Sequence, residues 1–126
     1  ERQREVLIMS SLADDFKFAL PYIKEALKHS GDMHTPSQVL EKLKTGKAEL
    51  FVGKKSAVVT QSLSDGRHLH FWLAGGDLEE LKKIERGVTR TAKQRGFKKA
   101  TIAGRRGWLR SLTDYEEAAT LMVKTL

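Results

Sequence analysis

The apolar positions of this 126-residue chain alternate in period two near its middle and recur every three or four residues on either side. Leu69, Phe71 and Leu73 alternate with His68, His70 and Trp72, a spacing that turns one set toward the more buried face of a strand. Gly75-Gly76 then breaks that strand. Asp77 followed by Glu80 has the form of a capping box, in which each side chain satisfies an amide of the first helical turn, so a helix begins there. Leu78, Leu81, Ile84, Val88 and Ala92 keep helical spacing and form one stripe facing a core. Gly96 supplies the left-handed position that ends the helix. The short β-prone run Phe97 to Ile102 pairs in parallel with the first strand across the helix, which makes a βαβ unit.

Upstream, Val6 to Met9 is a brief apolar run that reads as an opening strand or the remnant of one. Phe16, Ala19, Leu20, Ile23 and Leu27 predict a helix from Ala13 to His29, with Asp14 and Asp15 at its dipole-favoured end. Pro21 inside it allows either a kink or two abutting helices. Thr35-Pro36 marks the start of the next helix, whose apolar side is Val39, Leu40 and Leu43 and which stops at Gly46. Ala48 to Val52 and Ala57 to Leu63 are strands joined by Gly53-Lys54-Lys55, and Ser64-Asp65-Gly66 turns the second into the His68 strand, giving an antiparallel meander. After Ile102 comes a Gly-Arg corner, a helical turn or two at Trp108 to Leu112, and a closing strand from Ala118 to Leu126. The expectation is one α/β domain over residues 1–126, with a mixed, twisted sheet of about six or seven strands and flanking helices.

Charge narrows the picture. Asp77 to Arg110 holds eleven Lys and Arg against four Asp and Glu, whereas the remainder is balanced, so the entire formal excess of +7 sits in this stretch. That concentration points to a polyanion, whether a phosphate-bearing small ligand, nucleic acid or an acidic protein surface, with a solvated basic helix face as the plain alternative. The chain has no cysteine, which excludes disulfides and a thiol nucleophile and leaves metal ligation to His and carboxylates. No apolar run is long enough to span a bilayer, and the first residues lack the core of a signal peptide, so no membrane association is expected. The first residue is Glu rather than Met. There is no Gly-x-Ser-x-Gly elbow and no Walker loop.

The element order resembles the GNAT (Gcn5-related N-acetyltransferase) fold over nearly the whole chain. More particularly, Gly46-Lys47-Ala48-Glu49-Leu50-Phe51, Ala57-Val58-Val59-Thr60, Trp72-Leu73-Ala74-Gly75-Gly76-Asp77-Leu78 and Gly104-Arg105-Arg106-Gly107-Trp108-Leu109-Arg110 are similar to small GNAT-like proteins of tailed bacteriophages. The resemblance implies acetyl-CoA or another acyl-CoA as cofactor, a phage or host protein as partner, and a place in the host cytoplasm or the virion interior. It implies no metal.

In active members of that family an Arg/Gln-x-x-Gly-x-Gly/Ala loop at a helix N-terminus cradles the cofactor pyrophosphate. The matching segment is Leu73-Ala74-Gly75-Gly76-Asp77-Leu78-Glu79-Glu80, which keeps two glycines but departs from the pattern in lacking the leading Arg or Gln and in carrying three acids. Like charges about 4 Å apart cost on the order of 1 to 4 kcal/mol each. The cofactor-binding candidates are Leu73, Ala74, Gly75 and Gly76, with Arg105 and Arg106 beside the acyl arm. The catalytic candidates are His70 as base, Arg110 at the position aligned with the family's thiolate-protonating tyrosine, and Tyr115 under a shifted register; His68 and His70 read equally as core-edge histidines and Tyr115 as a packing aromatic. Trp108 with its neighbouring arginines also has the composition of a nucleic-acid contact. The expected function is a GNAT-fold, acetyltransferase-like protein with weak or no catalysis. The alternatives are a noncatalytic virion or host-interaction protein and a nucleic-acid-binding module.

Overall fold

The structure is a computed structural model that describes residues 2–30, 34–63 and 66–102, with side chains for 12–28, 34–63 and 66–102. Its elements are α1 (Arg2–Ser30), α2 (Pro36–Lys44), β1 (Ala48–Val52), β2 (Ser56–Leu63), β3 (His68–Gly76), α3 (Leu78–Gln94) and β4 (Lys99–Ile102). The strands form one sheet in the order β1-β2-β3-β4: β1, β2 and β3 are antiparallel neighbours, and β4 returns parallel to β3 after the α3 crossover. The meander and the βαβ unit therefore both stand in a mixed α/β domain. The short helix at Trp108 and the closing strand lie outside the described residues.

Several local expectations are corrected. Val6 to Met9 belongs to α1 rather than to a strand: nothing between Met9 and Ala13 is a glycine or a proline, so the apolar run continues into the helix that follows. α1 runs through Pro21 as a single helix. Gly75 and Gly76 remain in β3, paired with Ala57 and Ser56, instead of ending it earlier. The register between β2 and β3 shifts at Val59/Thr60, where Val59 faces Leu73 and Thr60 faces Phe71, leaving Trp72 as the extra residue of a β-bulge. The bulge breaks the simple alternation. Leu69 and Phe71 pack with Val58, Leu81 and Ala92 beneath α3, whereas Trp72 and Leu73 both join the core under α1 and α2.

The helix boundaries follow their caps. Thr35 accepts from Gln38 N–H at 3.3 Å while the Gln38 amide oxygen accepts from Thr35 N–H at 2.8 Å, and Pro36 occupies the first turn. α3 starts at its N-cap Asp77, and Gly96, at φ +93°, takes the left-handed position after its C-terminus. No helix among the described residues is long and apolar enough to cross a membrane.

Candidate functional site

The head of α3, expected from the sequence to cradle an anion, carries Asp77, Glu79 and Glu80. Asp77 Oδ2 accepts from Glu80 N–H at 3.0 Å, the first half of a capping box. The second half is absent. Glu80 instead turns toward the β1–β2 turn, where its Oε1 accepts from Lys55 N–H at 2.9 Å and from Ser56 Oγ at 2.6 Å, and Asp77 N–H donates to Lys55 O at 2.9 Å. A carboxylate with two donors on one oxygen is stabilised in its charged form. The Ser56 hydroxyl, then the Lys55 amide, hold Glu80 below the usual carboxylate value against an opposing effect of desolvation, with the charges of Lys55 and Lys54 adding to the lowering.

The glycines here serve close packing. A Cβ on Gly53 would strike Glu80 Oε1, and one on Gly75 would stand 2.9 Å from Tyr22 O of α1. Gly76 has φ +112°, and a Cβ there would strike Lys55 O and lie 2.6 Å from Ser56 Cα. Of the candidates for cofactor binding, Leu73 is buried under α1, Ala74 packs on the α3 side, and Gly75 and Gly76 are strand-paired. The structure brings these four to one end of β3. Arg105, Arg106, Arg110 and Tyr115 lie outside the described residues.

At the other end of β3, six residues and roughly 20 Å from Gly76 by strand rise, His68 and His70 share one partner. His68 Nε2 lies 2.7 Å and His70 Nδ1 2.8 Å from the Thr101 hydroxyl on β4. That oxygen has one proton and two lone pairs, so with both rings neutral it donates to one imidazole and accepts from the other. Burial, with the neighbouring His68 adding to it, lowers the pKa of His70 below 6.5. Burial thus favours the neutral imidazole of His70 over the charged one. Thr101 was not legible as a partner from sequence; its only signal is the parallel register, which sets Thr101 opposite His70. Among the described residues no group of three His, Asp or Glu comes together to hold a metal ion.

Trp72, the bulge residue, is boxed in: His34 meets its ring edge-on at 5.1 Å and the Lys42 ammonium stands 5.2 Å from the ring centre. Among the described residues the other side of the sheet is covered by α3 alone. A groove of about 530 Å³ runs between α3 and the β1–β2 pair, with Phe51, Thr60, Leu69 and Val88 among its lining and Lys83, Arg95 and Glu49 bringing charge to it. No protein-family profile, curated protein sequence or solved structure matches this chain.

Proposed function

We propose that this protein is a noncatalytic binding domain on an acetyltransferase-like scaffold, with at most weak acyl transfer. The observation that carries the reading is the head of α3, where Asp77 caps Glu80 N–H and Glu80 is tied to Lys55 and Ser56. A pyrophosphate would have to displace hydrogen-bonded anions to reach those amides, and the acids repel it besides. Acyl transfer depends on holding the thioester against the amine, and a cofactor without its phosphate anchor loses that positioning. The resemblance to small phage GNAT-like proteins makes a virion or host protein the source of the partner, and the basic stretch around α3 supplies a surface for it.

Isothermal titration with acetyl-CoA and with CoA tests the reading. The expected result is no binding to the unaltered protein, with measurable affinity appearing in the Asp77→Asn/Glu80→Gln double variant as the repulsion is removed. Micromolar binding to the unaltered protein, together with acetylation of an amine panel at ordinary enzyme rates and its loss in His70→Gln, would establish a working acetyltransferase in its place.

A further inference from the structure

The side of α3 turned away from the sheet carries a row of cations. Leu81, Ile84, Val88 and Ala92 pack toward the strands, and at 3.6 residues per turn Lys83, Arg86, Arg90 and Lys93 fall on the opposite side of the helix. All four are exposed. Their spacings of three, four and three residues keep them in line over about 15 Å of helix. Glu79, one turn before the row on the same side, is engaged with Lys82 at 3.2 Å.

The rest of the chain does not cancel this charge. Residues 82–99 carry eight Lys and Arg and one acid, Glu85, and the residues after Ile102 bring four Lys and Arg against three Asp and Glu. No acidic surplus is left to answer the row from within the protein.

The composition of the row selects its partner. No apolar or aromatic side chain interrupts it, and Gly87, Thr89 and Gln94 are its flanks. Protein interfaces are centred on aromatic and other apolar anchors and are poor in lysine. Single-stranded nucleic acid is held by aromatic side chains on which its bases stack. The row offers neither kind of anchor. It offers cations at regular intervals along a stiff helix, and the complementary object is a stiff line of phosphates. A duplex presents one phosphate per about 3.4 Å on each strand, so the row spans about four of them.

We infer that Lys83, Arg86, Arg90 and Lys93 on the outward side of α3 dock on the phosphate backbone of double-stranded nucleic acid without reading its sequence. The inference goes beyond the binding-domain reading, and a protein partner held elsewhere on the domain leaves it unchanged. Each phosphate neutralised releases condensed counterions, so the dependence of affinity on salt counts the contacts.

The test is fluorescence anisotropy with two labelled duplexes of unrelated sequence, titrated from about 50 to 200 mM KCl. Both are expected to bind alike, with Kd on the order of 10 μM at the lower salt. Four contacts give a slope of log affinity against log salt of about −3.6, a loss of roughly 150-fold over that range. Arg86→Gln/Arg90→Gln keeps helix propensity while removing two charges; it is expected to flatten the slope to about −1.8 and to weaken binding at least tenfold at the lower salt. Lys24→Gln/Lys28→Gln removes the same charge from exposed positions of α1 and is expected to leave the slope unchanged. No binding at the lower salt, equal effects of the two double variants, or a more than tenfold preference between the duplexes overturns the inference. So does tighter binding of a single strand or of polyglutamate, the latter assigning the row to an acidic protein. None of these outcomes depends on CoA binding, so a silent CoA titration with failed duplex binding removes this inference and leaves the noncatalytic reading standing.

Discussion

The two faces of the sheet differ in how completely they exclude water. Under α1 and α2, eleven buried residues among those described form a continuous core that includes Ile23, Val39, Val59 and Trp72. Under α3 five of the described residues are buried and seven more are partly so, of which Phe51, Ile84, Val88 and Phe97 line the groove. Among the described residues one face is thus finished by two helices and the other is covered by one. Burial of apolar area is the main stabilising contribution to a fold, so among the described residues the first face contributes more of the stability than the second. The β-bulge at Trp72 supports that division, because by shifting the register it sends Leu73 to the finished side along with Trp72.

Truncation on each face is the largest test of this contrast. Ile23 is 2 % exposed, and Ile23→Ala is expected to cost about 3 kcal/mol in a urea titration followed by circular dichroism, within the range for buried large-to-small changes. Val88→Ala, at the edge of the groove, should cost about 1 kcal/mol, because its methyls are only partly withdrawn from water. Equal losses would erase the distinction between the faces.

The seam where β3 leaves the finished core is the next place to press. Gly76→Ala sets a Cβ against Lys55 O and Ser56 Cα at a positive φ, and overpacking combined with backbone strain is expected to cost on the order of 2 to 3 kcal/mol. Gly46→Ala is the control, since its φ is also positive but nothing lies within 4 Å of its Cβ; it should cost less. A Gly76→Ala protein no less stable than Gly46→Ala would show that the strand end is not held against the β1–β2 turn.

How much of this was legible in the sequence follows from what kind of interaction specifies each part. The meander, the crossover and the starts of α2 and α3 come from local signals: Thr35-Pro36, Asp77, Gly96 and the apolar spacing of residues 78–92 all act within a few residues of themselves. Non-local choices were hidden. Glu80 sits where a capping box would use it, but it is recruited by Lys55 and Ser56, 25 and 24 positions away. Leu73 has the right parity for the α3 face and is moved off it by a bulge that no turn residue announces. The basic stretch was visible as composition, while the groove beside it depends on which strands a single helix can cover.

On the α3 face, Gly87 tests helix propensity with little change in packing among the described residues. With nothing within 4 Å of its Cβ position, Gly87→Ala should raise stability by about 1 kcal/mol through reduced backbone freedom in the unfolded chain and better helix propensity. The urea midpoint measures it. A lower midpoint would mean that something on the protein itself already presses on this side of α3.

The smallest effect expected belongs to the finished face, at its β4 margin, where His68 and His70 share the Thr101 hydroxyl. The folded pKa of His70 is lowered below 6.5, first by burial and then by His68, so the unfolded chain binds the proton more readily than the folded one. Stability therefore falls as pH drops through 6.5 and stops falling, as far as His70 is concerned, below its folded pKa. Glu80, whose pKa is lowered from 4.5 chiefly by Ser56, acts in a different window: its contribution is present above 4.5 and is lost as pH falls through its own folded value. Urea midpoints taken at intervals from pH 8 to pH 3 should thus show an upper step that His70→Gln removes and a lower one that Glu80→Gln removes. Because the imidazole remains partly solvated, the upper step is small. Its persistence in His70→Gln would assign the titration elsewhere and leave the shared hydroxyl as a neutral strand tie, insensitive to pH on either face.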